Sequence, residues 1–182
     1  MIRSVKTLFA VAIVAFLTRG AIAADVVAVA TLAPSKAATT QPTDNHVTGT
    51  VTFTQTGDKV KVMAHIMGLA PNSEHAFHIH EKGDLSAADL TSAGGHFNPE
   101  GHQHGAPDAP QHHAGDFGNV KADAMGMAMF EITVDDISIG SGAKNDIVGK
   151  AVIVHGKPDD LKSQPAGNAG PRIAGGVIEV KK

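Results

Sequence analysis

Between Val47 and Ile66 apolar and polar side chains alternate twice with a period of two. Val47, Gly49, Val51 and Phe53 interleave with Thr48, Thr50, Thr52 and Thr54; after Thr56-Gly57-Asp58, the residues Val60, Val62, Ala64 and Ile66 repeat the pattern. A period of two belongs to a strand with one buried face, and the Gly-Asp pair between two such runs predicts a β-hairpin. Six further short runs, Val26 to Leu32, Glu74 to Glu81, Gly118 to Ala122, Met127 to Val134, Lys150 to His155 and Ile173 to Val180, read as strands. Short strands in that number predict an antiparallel barrel or sandwich. Two connections are long: Lys82 to Phe117, rich in Gly, His, Asp and Pro, and Gly156 to Pro171. Long structureless loops in a compact domain usually carry function. Ala33 to Asn45 reads as an ordinary flexible connection.

The N-terminus changes the picture of where this domain folds. Arg3 and Lys6 precede an uncharged apolar run from Leu8 to Leu17, and Ala21-Ile22-Ala23 follows as a small-residue cleavage site. This is the pattern of a secretory signal peptide over residues 1–23, leaving 24–182 as one domain. The apolar run falls short of the roughly 20 residues a membrane span needs, so export to the periplasm or the exterior is expected, without stable membrane insertion. Removing Arg3, Lys6 and Arg19 leaves 12 basic residues against 18 acidic ones, a net charge of about −6. An acidic chain without basic clusters argues against nucleic acid as a partner. The chain has no cysteine, which excludes disulfides, thiolate metal sites and cysteine nucleophiles.

Histidine is the opposite case: of 11, eight fall between His75 and His113. In Glu74-His75-Ala76-Phe77-His78-Ile79-His80, strand geometry sends His78 and His80 to one face, about 7 Å apart at roughly 3.3 Å per residue. Phe77 and Ile79 then face the core, and His75 shares their parity, so it reads as an inward histidine bonded to backbone. Two adjacent imidazoles make half of a tetragonal nitrogen site, which suits copper(II). The following loop carries His96, His104, His113 and Asp116, a set able to close a tetrahedral zinc site. Periodicity alone does not bring them together, and a solvated His-rich loop remains the alternative on spacing.

The segments HAFHIHEKGD, SAGGHFNP, HGAPDAPQHHAGDFGNV, VIVHGKPDDL and GNAGPRIAGGVI closely resemble, in order and separation, the copper/zinc superoxide dismutase family. The resemblance runs from about Val47 to the C-terminus. It implies an all-β, eight-stranded Greek-key barrel with two long functional loops, and an enzyme that converts superoxide to oxygen and hydrogen peroxide. By matching motif, it implies copper on His78, His80, His96 and His155, and zinc on His96, His104, His113 and Asp116, with His96 shared as an imidazolate. Asp159 matches the carboxylate that orients one histidine of each metal, and Arg172 the arginine beside copper. His102 and His112 have no matching role and are expected to face solvent. A homodimer is compatible with the resemblance, and no motif marks an interface.

Three departures stand out. The family's disulfide between the zinc loop and the last strand maps to Leu90 and Gly175, so the loop is expected to lack its tether and the metal-free protein to be labile. Ala76 replaces a common glycine, and the Gly156 to Pro171 loop is shorter than in animal members, leaving Lys157 and Lys162 as candidate steering charges. A non-enzymatic copper carrier on the same fold is the rival function, and a copper-only dismutase a second; retention of all seven ligand positions and Arg172 argues against both. Met125, Met127 and Met129 alternate with Ala128, Phe130 and Ile132. Thioethers at that spacing suit copper(I), the alternative being packing by adaptable side chains.

Overall fold

The computed structural model describes residues 25–37 and 46–181; the segment read as a signal peptide and part of the first connection lie outside them. Among the described residues there is no α-helix, and no helix is long and apolar enough to cross a membrane. Nine strands form: β1 (Val26–Pro34), β2 (Thr48–Thr56), β3 (Lys59–Met67), β4 (Glu74–His80), β5 (Asp116–Lys121), β6 (Ala128–Val134), β7 (Ala151–His155), β8 (Arg172–Val177) and β9 (Glu179–Val180). The eighth expected strand is thus split at Ile178, whose backbone pairs with Gly149 and Lys150 instead.

The hairpin forms in the expected register, Val51 opposite Ala64 and Phe53 opposite Val62, around a two-residue turn. Gly57 takes a φ of +64° there, the left-handed conformation that a tight hairpin turn requires. Spatial order is β5-β4-β7-β8-β1-β2-β3-β6, with neighbouring strands antiparallel. Because β6 returns beside β3 and β7 beside β4, the connections cross in Greek-key fashion and nearly close a barrel. Its interior is filled by inward residues such as Phe53, Val62, Ile66, Phe77, Ile79 and Phe117, all buried. Phe77 sits at the centre, 5.8 Å from Phe117 and 5.4 Å edge-on from Phe130 by ring centroids. Burying one such ring removes about 150–250 Å² from water, so this interior dominates the stability.

Strand β4 departs from simple alternation, since every residue from His75 to His80 is buried. Phe77 and Ile79 face the core as expected, while the two long loops cover the opposite face. His75 is the inward histidine anticipated from parity: Nδ1 lies 2.8 Å from the carbonyl of His155 and Nε2 2.7 Å from Ser73 Oγ.

Candidate metal centre

Register places the site. Strand β7 sets Ile153 beside His78 and Ala151 beside His80. A shift in the β7–β8 ladder after Val154 brings His155 opposite Arg172. On the other side of β4, a bulge between Ala76 and His78 sets Asp116 directly opposite His78. Bulges re-aim side chains in this way. An isolated bridge then pins His96 of the long loop to His80. Residues distant in sequence are thereby held on one patch of barrel wall.

Two groups result, His78, His80, His96 and His155, and His96, His104, His113 and Asp116; in each the candidate ligand atoms lie within 4.8 Å of one another and every residue is buried. In the first group each ring uses one nitrogen for orientation. His78 Nε2 meets Asp159 Oδ2 at 2.8 Å and His80 Nδ1 meets the Gly94 carbonyl at 2.9 Å. The nitrogens that remain converge, His80 Nε2 lying 3.3 Å from His155 Nε2. In the second group His96 Nδ1 is 2.7 Å from Asp116 Oδ1 and His104 Nδ1 is 3.0 Å from Asp116 Oδ2, while His104 Nε2 is held by Asp159 Oδ1 at 2.9 Å. Asp159 therefore orients one histidine of each group, as a carboxylate behind metal-binding imidazoles does.

Four of these buried nitrogens, His78 Nδ1, His96 Nε2, His104 Nδ1 and His113 Nδ1, make no well-aligned hydrogen bond; the first two face no acceptor or donor, and the last two lie 3.0 and 3.3 Å from the Asp116 carboxylate. Buried polar atoms are nearly always satisfied, and four such nitrogens in one place are lone pairs shaped for cations. An all-nitrogen set suits copper, and three imidazoles with one carboxylate suit zinc.

Electrostatics agree. Burial, with repulsion from neighbouring imidazoles, lowers His80 and His155 well below the ordinary histidine value. Burial also brings His96 down to about 4 against the opposing pull of Asp116. All three are neutral at pH 7, as ligands must be. Burial opposes charge on His104 too, but the adjacent Asp116 carboxylate and a hydrogen bond to Asp159 outweigh it and lift that ring to about 9. Burial would raise Asp116 and Asp159, yet their histidine partners hold both well below the carboxylate range.

A cleft of about 680 Å³ opens over the first group, lined by His80, His96, His155, Asn168 and Arg172 among others. Arg172 donates to the carbonyls of Leu90 at 2.6 Å and Gly94 at 2.5 Å. Lys157 and Lys162 are exposed and absent from the cleft wall. His102 is exposed, and half-buried His112 faces the His113 carbonyl; neither joins a group. Three participants escaped the sequence reading. The Gly94 carbonyl serves His80 and Arg172 together. Gln164 brackets His104, accepting from its N–H and donating to its carbonyl, both at 2.9 Å. Gly167, at a φ of +63°, passes so close to Asp159 that any Cβ would overlap Oδ1. A glycine beside a motif was the only available signal for these, and it does not distinguish a turn from a close approach.

The fold and site define a Greek-key barrel with two adjoining side-chain groups on its outer wall, each able to hold a metal ion. The family model of copper/zinc superoxide dismutase matches residues 47–178, and the chain belongs to that family. A copper–zinc superoxide dismutase of Paramecium bursaria Chlorella virus 1 is 44% identical over 142 residues, 75% of this chain and 74% of that one. Copper–zinc superoxide dismutase 2 of Aquifex aeolicus (strain VF5) is 41% identical over 139 residues, 75% and 81%. The crystal structure of the clock protein EA4 superimposes with a TM-score of 0.72 at 40% identity, covering 85% of this chain and 94% of that one. Membership makes the chain an oxidoreductase with copper and zinc as cofactors and superoxide as substrate.

Proposed function

We propose that His78, His80, His96 and His155 would hold copper and that His96, His104, His113 and Asp116 would hold zinc, with His96 common to both sets. The observation that carries this assignment is the set of four buried ring nitrogens without a well-aligned hydrogen bond, divided between two groups that share one residue. When bound, copper supplies the one-electron couple for disproportionation and zinc a fixed charge on the shared ring: two superoxide anions and two protons become oxygen and hydrogen peroxide.

The chain's own residues do the rest. Arg172 binds the small anion at the cleft: two of its N–H groups are committed to carbonyls, and a guanidinium has five. Its half-buried charge is fixed there by the two carbonyls, which offsets the negative net charge locally. His96 keeps Nδ1 toward Asp116, so Nε2 is the atom that would hold and pass on a proton whenever it is not engaged by metal. Asp159 holds His78 and His104 in register, and Gln164 fixes the backbone of His104.

The same reading includes export. Cleavage after Ala23 predicts a mature protein beginning at Ala24, periplasmic or secreted, which the mass of the protein recovered outside the cytoplasm tests. It also includes a homodimer, tested by mass in solution.

The decisive experiment is superoxide disproportionation by purified mature protein, with metals counted in the same sample and His155→Ala as control. Rapid turnover with about one copper and one zinc per chain, lost in the control, is the expected result. Full metal occupancy without turnover would instead identify a metal carrier.

A further inference from the structure

A second cluster of metal-binding side chains lies on the outer face of the barrel, on strands that contribute nothing to the metal centre. Of six methionines in the chain, five are Met63, Met67, Met125, Met127 and Met129. Strand β3 alternates, burying Val62, Ala64 and Ile66 and turning Met63, His65 and Met67 outward. Its partner β6 sets Met129 directly opposite His65 and Glu131 opposite Met63. Direct cross-strand partners have Cβ atoms about 4.5–5.5 Å apart, with diagonal neighbours still in reach of long side chains. One imidazole is thus framed by Met63 and Met67 along its own strand and by Met129 across from it.

The expected run of alternating methionines is corrected in part. Strand β6 starts at Ala128, so Met125 sits in the preceding turn, where its N–H donates to Asp123. Met129 alone of the three is both on the strand and fully outward, and its true neighbours come from β3.

Exposure makes the arrangement unusual. Met63, Met67, Met125 and Met129 are 44%, 43%, 79% and 78% exposed. The next strand, β2, presents Thr50 and Thr52 on that surface, the polar choice expected for a wet sheet face. A depression of about 320 Å³ is lined by Met63, His65, Met129 and Glu131, with Thr50 and Thr52 on its rim.

We propose that His65, Met63 and Met129, with Met67 alongside, form a copper(I)-binding site on this face, separate from the catalytic centre. Thioethers are soft donors that favour copper(I) over zinc or magnesium, and the imidazole adds a borderline donor that copper also accepts. A patch built only to dock an apolar partner has no use for a central imidazole. Its position on β3 and β6 leaves the cleft and the ligands of the metal centre untouched, so the site captures copper from outside without competing for the catalytic ligands.

The test uses the mature protein already loaded with copper and zinc, given one equivalent of copper(I) under anaerobic conditions against a chromophoric copper(I) chelator. The parent should retain a further copper equivalent, and its copper absorption spectrum should show copper–sulfur scattering. With no cysteine in the chain and only nitrogen and oxygen donors at the metal centre, sulfur next to copper comes from methionine alone. Met63→Leu/Met129→Leu and His65→Asn, exposed substitutions that leave disproportionation unchanged, should each release the extra copper to the chelator. Absence of sulfur scattering in the parent, or equal retention by parent and variants, would overturn the proposal.

Discussion

The guanidinium of Arg172 holds the backbone of Leu90, Nη1 donating to its carbonyl at 2.6 Å. Leu90 stands where the family pattern has one half of a disulfide, and its side chain occupies the space beside Gly175, where the other half would be. A Cβ on Gly175 would come within 3.3 Å of Leu90 Cδ1. Leu90, Ala93, Ala151 and Ile153 form a small apolar cluster, and Ser35 Oγ and the Ala37 N–H both bind the Ala88 carbonyl nearby. The loop expected to be untethered is therefore anchored without a covalent bond. Leu90→Ala should cost about 2–3 kcal/mol, at the low end for buried leucine truncations, and should also lower kcat/KM as the carbonyl partner of Arg172 shifts. Urea unfolding and steady-state rates read the two effects. Unchanged stability would mean that the loop is anchored elsewhere.

Metal removal should still be costly. It leaves His78 Nδ1 and His96 Nε2 buried without partners, and His104 Nδ1 and His113 Nδ1 sharing the one Asp116 carboxylate. A ligand at a thousandfold excess over its Kd adds about 4 kcal/mol, and each kcal/mol moves Tm by about 2–4 °C at this size. Calorimetry should place the metal-free protein about 8–16 °C below the loaded one. Coincident melting would contradict the assignment of these atoms as ligands.

Zinc uptake should depend on pH through His104. That ring keeps its proton up to about 9 in the metal-free protein, whereas a metal takes the bare nitrogen. Because the pKa is raised, protons compete below about 9 and cease to compete above it. Zinc affinity should fall about tenfold per pH unit from 9 down to 7. Titration calorimetry in buffers of different ionisation heat should record proton release at pH 7, and none would show that His104 is already neutral in the metal-free protein.

Gly167→Ala tests the support beneath both metals. A methyl there must displace Asp159 Oδ1 and crowds His104 Nε2 at 2.7 Å, on a backbone of positive φ. Loss of an orienting carboxylate typically weakens metal binding 10–100-fold, and zinc affinity should fall by that order. A variant that binds zinc like the parent would show that Asp159 has room to move.

Legibility in the sequence followed the range of the interaction. Alternation between Val47 and Ile66 sets a strand pair within twenty residues, and the structure pairs them in that register. The parity of His75, His78 and His80 is equally local. The division of the last strand at Ile178 was not visible, since it depends on Gly149 and Lys150 of another segment. The methionine face was half legible: Met125, Met127 and Met129 are neighbours in sequence, while His65 and Met63 join them only through β3–β6 pairing.

By itself the sequence determined the strands, the absence of any thiol, and which side chains carry metal-binding chemistry, because these depend on residue identity and a backbone period of two. Only the tertiary structure decided which atoms meet. The bulge in β4–β5 aims Asp116 and the β7–β8 shift sets His155 against Arg172. Leu90 takes the place of a covalent tether, and Gly167 makes room for the carboxylate that serves both groups. Most of those outcomes are contacts between segments far apart in the chain, and even the approach of Gly167 to Asp159 within one loop is set by packing rather than by local pattern.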